Sequence, residues 1–159
     1  MNRKTDFRIS PLPLEDFSPL FQLDDDELRA RGMKRVIADS KPGFPCRVSL
    51  DDAEVGETLL LLPYEHHQID GPYRSSGPIF VRERATPSVL AKNEVPPYVL
   101  ERYLSVRAYD GAGMMVRAEV TPGKELADCV SQLFADERAR YLHVHNARPG
   151  CYAFRIDRA

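Results

Sequence analysis

Three features of the 159-residue sequence predict an α+β domain with a mainly antiparallel sheet. Residues 104–109 and 114–120 alternate apolar and polar side chains on either side of Asp110-Gly111-Ala112-Gly113, the pattern of a hairpin. Leu126, Val130, Leu133 and Phe134 fall at i, i+4, i+7 and i+8, one apolar stripe on a helix that needs a sheet to cover. Residues 141–146 and 151–158 are two more strand-like runs, separated by a turn containing Pro149-Gly150. Together they predict a strand-strand-helix-strand-strand unit over residues 101–159, continuous with an N-terminal half, 1–100, in a single domain.

Each element has a local reason. Residues 7–10 read as a short strand, and the proline-punctuated stretch 11–23 as irregular chain wrapped around the core. Asp24 is a helix cap, Asp25, Asp26 and Glu27 form the acidic first turn, and Gly32 stops the helix. Residues 33–38 form a strand ended by Lys41-Pro42-Gly43, and a further segment follows from Cys46 to Leu50. The run Thr58-Leu59-Leu60-Leu61-Leu62 is apolar without alternation, so it should be a central strand buried on both faces. Residues 64–78 read as a long polar loop leading to a strand over 79–82. Thr121-Pro122 predicts the helix start, with a hydroxyl cap and proline at the first helical position.

Composition narrows the function. Hydrophobic residues at 43% and charged residues at 29% are those of a globular chain. The net charge is −2 with acidic and basic residues interspersed, which argues against nucleic acid as a partner. No apolar run approaches ~18 residues and no secretory h-region follows Met1, so neither a membrane span nor export is expected. Cys46, Cys129 and Cys151 are an odd set without CxxC spacing, consistent with free thiols in a reducing cytoplasm. No fingerprint for a cofactor appears.

The alternation has a functional consequence. If the helix covers Val106, Ala108, Val116, Ala118, Leu142 and Val144, then Arg107, Arg117, Glu119, His143 and His145 lie on the opposite face. So polar a face is either wet or lines a cleft closed by the N-terminal half, with the loop over 64–78 as its lid.

The stretches Tyr64-x-His66, Tyr73-Arg74-Ser75-Ser76-Gly77-Pro78-Ile79-Phe80-Val81, Ser105-Val106-Arg107-Ala108-Tyr109 and His143-Val144-His145-Asn146-Ala147-Arg148-Pro149-Gly150-Cys151 resemble a small bacterial family, domain of unknown function 1203. The resemblance covers nearly the whole chain. It implies a compact bacterial cytoplasmic domain and no particular reaction. Arg148 departs from it, standing at a turn position where a smaller residue is expected.

Three constellations are candidates for chemistry. Arg74, Ser75, Ser76 and Gly77 offer a guanidinium, two hydroxyls and accessible backbone amides, an anion cradle to which Tyr73, Arg107 and His66 could add. His143 and His145, about 6.5 Å apart along one strand face, are spaced to share a metal ion. The third ligand would come from His66, His67, Cys151 or Asp157. An isolated HxH is common by chance, so no metal is assigned from it, and imidazoles hydrogen-bonded on a polar sheet face explain the pattern as well. Cys151 with His143 or His145 suggests a thiolate nucleophile, provided that the hairpin register puts them on one face. A four-residue loop pairs Asn146 with Cys151 and turns the thiol away; an odd loop pairing His145 with Cys151 brings it in. The leading expectation is a binding site for a small anionic molecule between loop and sheet, with catalysis by His143, His145 or Cys151 left open. The alternatives are a non-catalytic protein-interaction module and a metal-binding protein using the HxH strand.

Overall fold

A computed structural model describes residues 4–159, with strands β1 (Phe7–Ser10), β2 (Lys34–Ile37), β3 (Pro45–Cys46), β4 (Asp51–Asp52), β5 (Thr58–His67), β6 (Ser75–Arg82), β7 (Tyr103–Tyr109), β8 (Met115–Pro122), β9 (Tyr141–Asn146) and β10 (Tyr152–Arg158) and helices α1 (Asp25–Ala30) and α2 (Leu126–Phe134). The strands form two five-stranded sheets, ordered β1-β10-β9-β7-β8 and β2-β5-β6-β3-β4. All pairings are antiparallel except the single parallel contact of β3 with β6. The fold is α+β, as the sequence predicts.

The first sheet carries α2 on one face. Leu126, Val130, Leu133 and Phe134 are buried against Leu104, Val106, Ala108, Leu142, Val144 and Ile156. The Thr121 hydroxyl does not cap this helix: Thr121 and Pro122 still belong to β8, and a 3-10 turn, Gly123–Glu125, makes the entry. Gly123 is required there. A Cβ on it would sit 1.7 Å from the Val99 carbonyl oxygen, because two backbone segments meet at that point.

The second sheet is covered by the N-terminal segment, whose Leu12 and Phe17 are buried with Leu28, Leu60, Leu62, Ile79 and Val81. Helix α1 forms as its signals require: Asp24 accepts from the Glu27 N–H at 2.8 Å, Glu27 accepts from the Asp24 N–H at 2.8 Å, and Gly32 takes φ +72° after the last turn. Leu59 and Leu60 are both fully buried and belong to different apolar clusters, so β5 is enclosed on two sides as expected.

Three expectations are corrected. The polar loop is shorter than 64–78, because β5 runs on through His67 and β6 begins at Ser75. Pro63 and Pro78, which suggest strand ends, face each other in the β5–β6 pair. Strand β2 reaches only to Leu61 and β3 only to Phe80, so both prolines lie where no ladder bond is lost. Residues 47–50, read from the sequence as part of a segment from Cys46 to Leu50, form a turn after the two-residue β3. In β8, Arg117 pairs with Ala108 and Glu119 with Val106, so these charges lie on the helix side, and Ala118 beside Arg107 lies on the other. An extra residue between Met115 and Arg117 shifts the alternation, and on an edge strand the displaced charges still reach water.

Candidate metal centre

The face of the first sheet opposite α2 is where the two halves of the chain meet. His143 pairs across to Arg107 on β7 and Arg155 on β10, and His145 to Ser105 and Tyr152. The end of β5 closes over this row. His66 lies with its ring centroid 5.0 Å from His145 and 6.2 Å from His143, and His67 lies 4.9 Å from His143. His143 and His145 are each 2% exposed, so the polar face is enclosed.

Two bulges make this convergence possible. In β5 the register slips between Tyr64 and His67, so the neighbouring His66 and His67, which a regular strand would send to opposite faces, both reach the cluster. In β10 it slips between Tyr152 and Phe154. Phe154 is thereby placed in the core while Tyr152 turns to the histidines and stacks on His66 at 5.2 Å with 5° between the rings.

The four imidazoles divide by their partners. His67 Nδ1 donates to the Tyr73 carbonyl at 2.8 Å, and its Nε2 accepts from the Tyr141 hydroxyl at 2.6 Å. Both nitrogens are used, and His67 is a structural tie. In His145, Nδ1 donates to the Gly150 carbonyl at 2.9 Å, which leaves the lone pair on Nε2, 3.4 Å from Arg107 Nη1. His66 Nδ1 and His143 Nδ1 are buried without a hydrogen-bond partner. One nitrogen from each of His66, His143 and His145 lies within 4.8 Å of the other two. An ion at about 2.0–2.1 Å from each would draw them somewhat closer, a side-chain adjustment.

Electrostatics keep the trio neutral. Burial holds His143 down to about 2, with the charges of the neighbouring imidazoles and Arg155 adding to it. Burial is also the main cause that lowers His66 and His145 to about 4, assisted by Arg107 in both cases. Neutral imidazole is the metal-binding form, and a carbonyl accepting the other N–H, as Gly150 does for His145, is how ligand rings are oriented. His66 and His143 line a cleft of about 660 Å³, with Tyr64, Tyr141, Tyr152 and Arg155 among its walls.

The structure places the remaining candidates elsewhere. Arg74 is exposed and its guanidinium is bound to Glu65, while Ser75 and Ser76 are exposed on β6. None of the three lines the histidine cleft, and Ser76 borders a separate shallow one with Gly77 and Pro78. The common cavity expected for Arg74 and the HxH strand is therefore not formed; Glu65 takes up the arginine. Tyr73 contributes its carbonyl to His67 and its ring to Tyr109 at 6.1 Å. The β9–β10 turn has four residues: Asn146 N–H donates to the Cys151 carbonyl, and Asn146 Nδ2 donates to Cys151 Sγ at 3.4 Å. Cys151 thus leaves the histidine face, Tyr152 takes the position opposite His145, and the His–Cys nucleophile is not assembled. Arg148 is accommodated at the exposed tip, with Gly150 supplying the left-handed residue at φ +81°. The spacing of residues assigns no site role to Tyr109, Tyr141, Tyr152 or Arg155; no pattern reveals that Tyr152 faces the site, since a bulge decides it.

Fold and site define an α+β protein with a three-histidine cluster, two of its members buried and His66 half-buried, at the wall of a cleft. The chain belongs to the family described as Protein of unknown function (DUF1203), whose model matches residues 43–158 and so takes in all three histidines. No curated protein and no solved structure matches the chain. No helix among the described residues is long and apolar enough to cross a membrane.

Proposed function

We propose that this protein binds one first-row transition-metal ion through His66, His143 and His145, leaving a coordination position open for an exchangeable ligand. The observation that carries the reading is the approach of three ring nitrogens to within 4.8 Å of one another, in a buried setting where two of the rings have an unpartnered Nδ1. A buried polar atom without a partner costs about 1–3 kcal/mol, and an ion drawing on these rings would recover part of it. Three imidazoles suit Zn, Co, Ni, Cu or Fe, and three protein ligands with a vacant fourth position are the arrangement of sites that bind or activate a small molecule, in contrast to closed structural sites. The cleft along His66 and His143 supplies access. Free Cys46, Cys129 and Cys151 fit a reducing cytoplasm of bacterial type.

The test is metal content. Protein loaded with Co(II) or Zn(II) after chelator treatment is expected to hold one equivalent, and His143→Ala to hold less than a tenth of that at the same free-metal concentration. Wild-type protein that stays metal-free on soaking overturns the reading.

A further inference from the structure

Two arginines beside His145, Arg47 and Arg107, form no ion pair among the described residues, but Arg47 commits its Nε and Nη1 to the Tyr152 and Pro45 carbonyls. Arg155 is paired with Asp157 at 2.8 Å, Arg102 with Asp52 at 2.6 Å, and Arg74 with Glu65. Arg107 is half-buried, and its hydrogen-bond contacts are neutral: Nε donates to Ser105 Oγ at 3.3 Å, Nη1 approaches His145 Nε2 at 3.4 Å, and the Tyr109 hydroxyl is a further partner. Among the described residues Arg107 forms no ion pair with a carboxylate.

The contact with His145 is informative because only one lone pair is involved. Nδ1 is committed to the Gly150 carbonyl, so the nitrogen that can hold an ion is the one Arg107 already addresses. An ion about 2.1 Å from Nε2 lies at most roughly 5.5 Å from Arg107 Nη1. Three neutral imidazoles bring no countercharge, so an ion and a guanidinium that close repel each other strongly in a partly desolvated site. A carboxylate or phosphate group relieves this, with one oxygen on the metal and another accepting from the planar guanidinium.

We propose that the loaded site takes a small oxyanion, held between the ion on His66, His143 and His145 and the guanidinium of Arg107. The inference rests on the metal-binding reading above and adds the class of ligand. It makes metal and anion affinities reciprocal, each raising the other by the same factor. Without an anion, Arg107 opposes metal binding.

Equilibrium dialysis of the full chain against Co(II), in a sulfonate buffer with or without acetate or phosphate, tests it. The anion is expected to raise Co(II) affinity at least tenfold and to change the visible Co(II) spectrum; the larger of the two effects tells a carboxylate ligand from a phosphate one. Arg107→Met should bind Co(II) more tightly than wild type in the absence of anion and lose the enhancement, while Arg107→Lys should keep part of it. Should Arg107→Met fail to fold, the wild-type titration and Arg107→Lys decide the matter. Co(II) bound with the same affinity whether or not either anion is present overturns the inference and leaves the metal reading standing. Enhancement unchanged in Arg107→Met removes Arg107 from the site. No Co(II) binding under any condition overturns both.

Discussion

His66 and His67 are neighbours in sequence with different physical roles. His67 has a carbonyl on one nitrogen and a tyrosine hydroxyl on the other, so it spends its hydrogen-bonding capacity joining the end of β5 to β9. His66 is held by ring stacking on Tyr152 and keeps an unpartnered nitrogen. The lowered basicity of His66, His143 and His145 has a stability consequence in the metal-free protein. Their folded-state values lie below the ordinary 6.5, so the unfolded chain takes up protons first as pH falls. The contribution is fully present above about pH 6.5 and is lost as pH falls towards 4 for His66 and His145 and further, towards 2, for His143. The melting temperature of the metal-free protein should therefore drop by roughly 15 °C or more between pH 7 and pH 4.5. A flat profile over that window would show that the rings are not held neutral by burial.

At the scale of elements, bulges do what regular strands cannot. Without the slip in β10, Tyr152 would share a face with Phe154 in the core, and His66 would have no ring to stack against. Replacing Tyr152 with Leu keeps an apolar group in the same place but removes the stack. Co(II) affinity should fall by about tenfold while the stoichiometry stays at one, as expected of a residue that orients a ligand. Dialysis reads both quantities. The entry to α2 is equally specific. Gly123→Ala has no room against the backbone at Val99 and Leu100, so the variant should lose about 3 kcal/mol or more, measured by urea unfolding. An unfolding midpoint like that of wild type would mean that the two segments separate at little cost.

Across the whole molecule, the site exists because two sheets are joined. Arg47, 1% exposed, donates from Nε to the Tyr152 carbonyl at 2.7 Å and from Nη1 to the Pro45 carbonyl at 2.5 Å, which ties the turn after β3 to β10. Arg102, just before β7, holds Asp52 of β4 with two bonds, at 2.6 and 2.9 Å. Asp52 is 9% exposed, and losing its partner leaves a nearly buried carboxylate uncompensated. Arg102→Ala should cost about 3 kcal/mol in chemical unfolding, far above the cost of an exposed pair such as Lys4 with Asp128. Similar losses from Arg102→Ala and Lys4→Ala would show that the bridge does not hold the sheets.

Local chemistry was legible from the residues alone. The Asp24 cap and Gly32 stop, the hairpin around residues 110–113, the apolar stripe from Leu126 to Phe134 and the shared face of His143 and His145 each depend on interactions a few residues apart, so spacing suffices to predict them. Register and long-range pairing do not work that way. The bulges that bring His66 to the HxH strand and turn Tyr152 inward, the four-residue loop that sends Cys151 off the histidine face, and the Glu65 that captures Arg74 depend on what lies across the sheet. A strand's side chains change face with every one-residue slip, and that slip is decided by packing between distant segments. The sequence thus determined which residue types are available for a metal centre; only the tertiary structure decided that His66 joins His143 and His145, and that Arg107 stands beside them without a carboxylate partner.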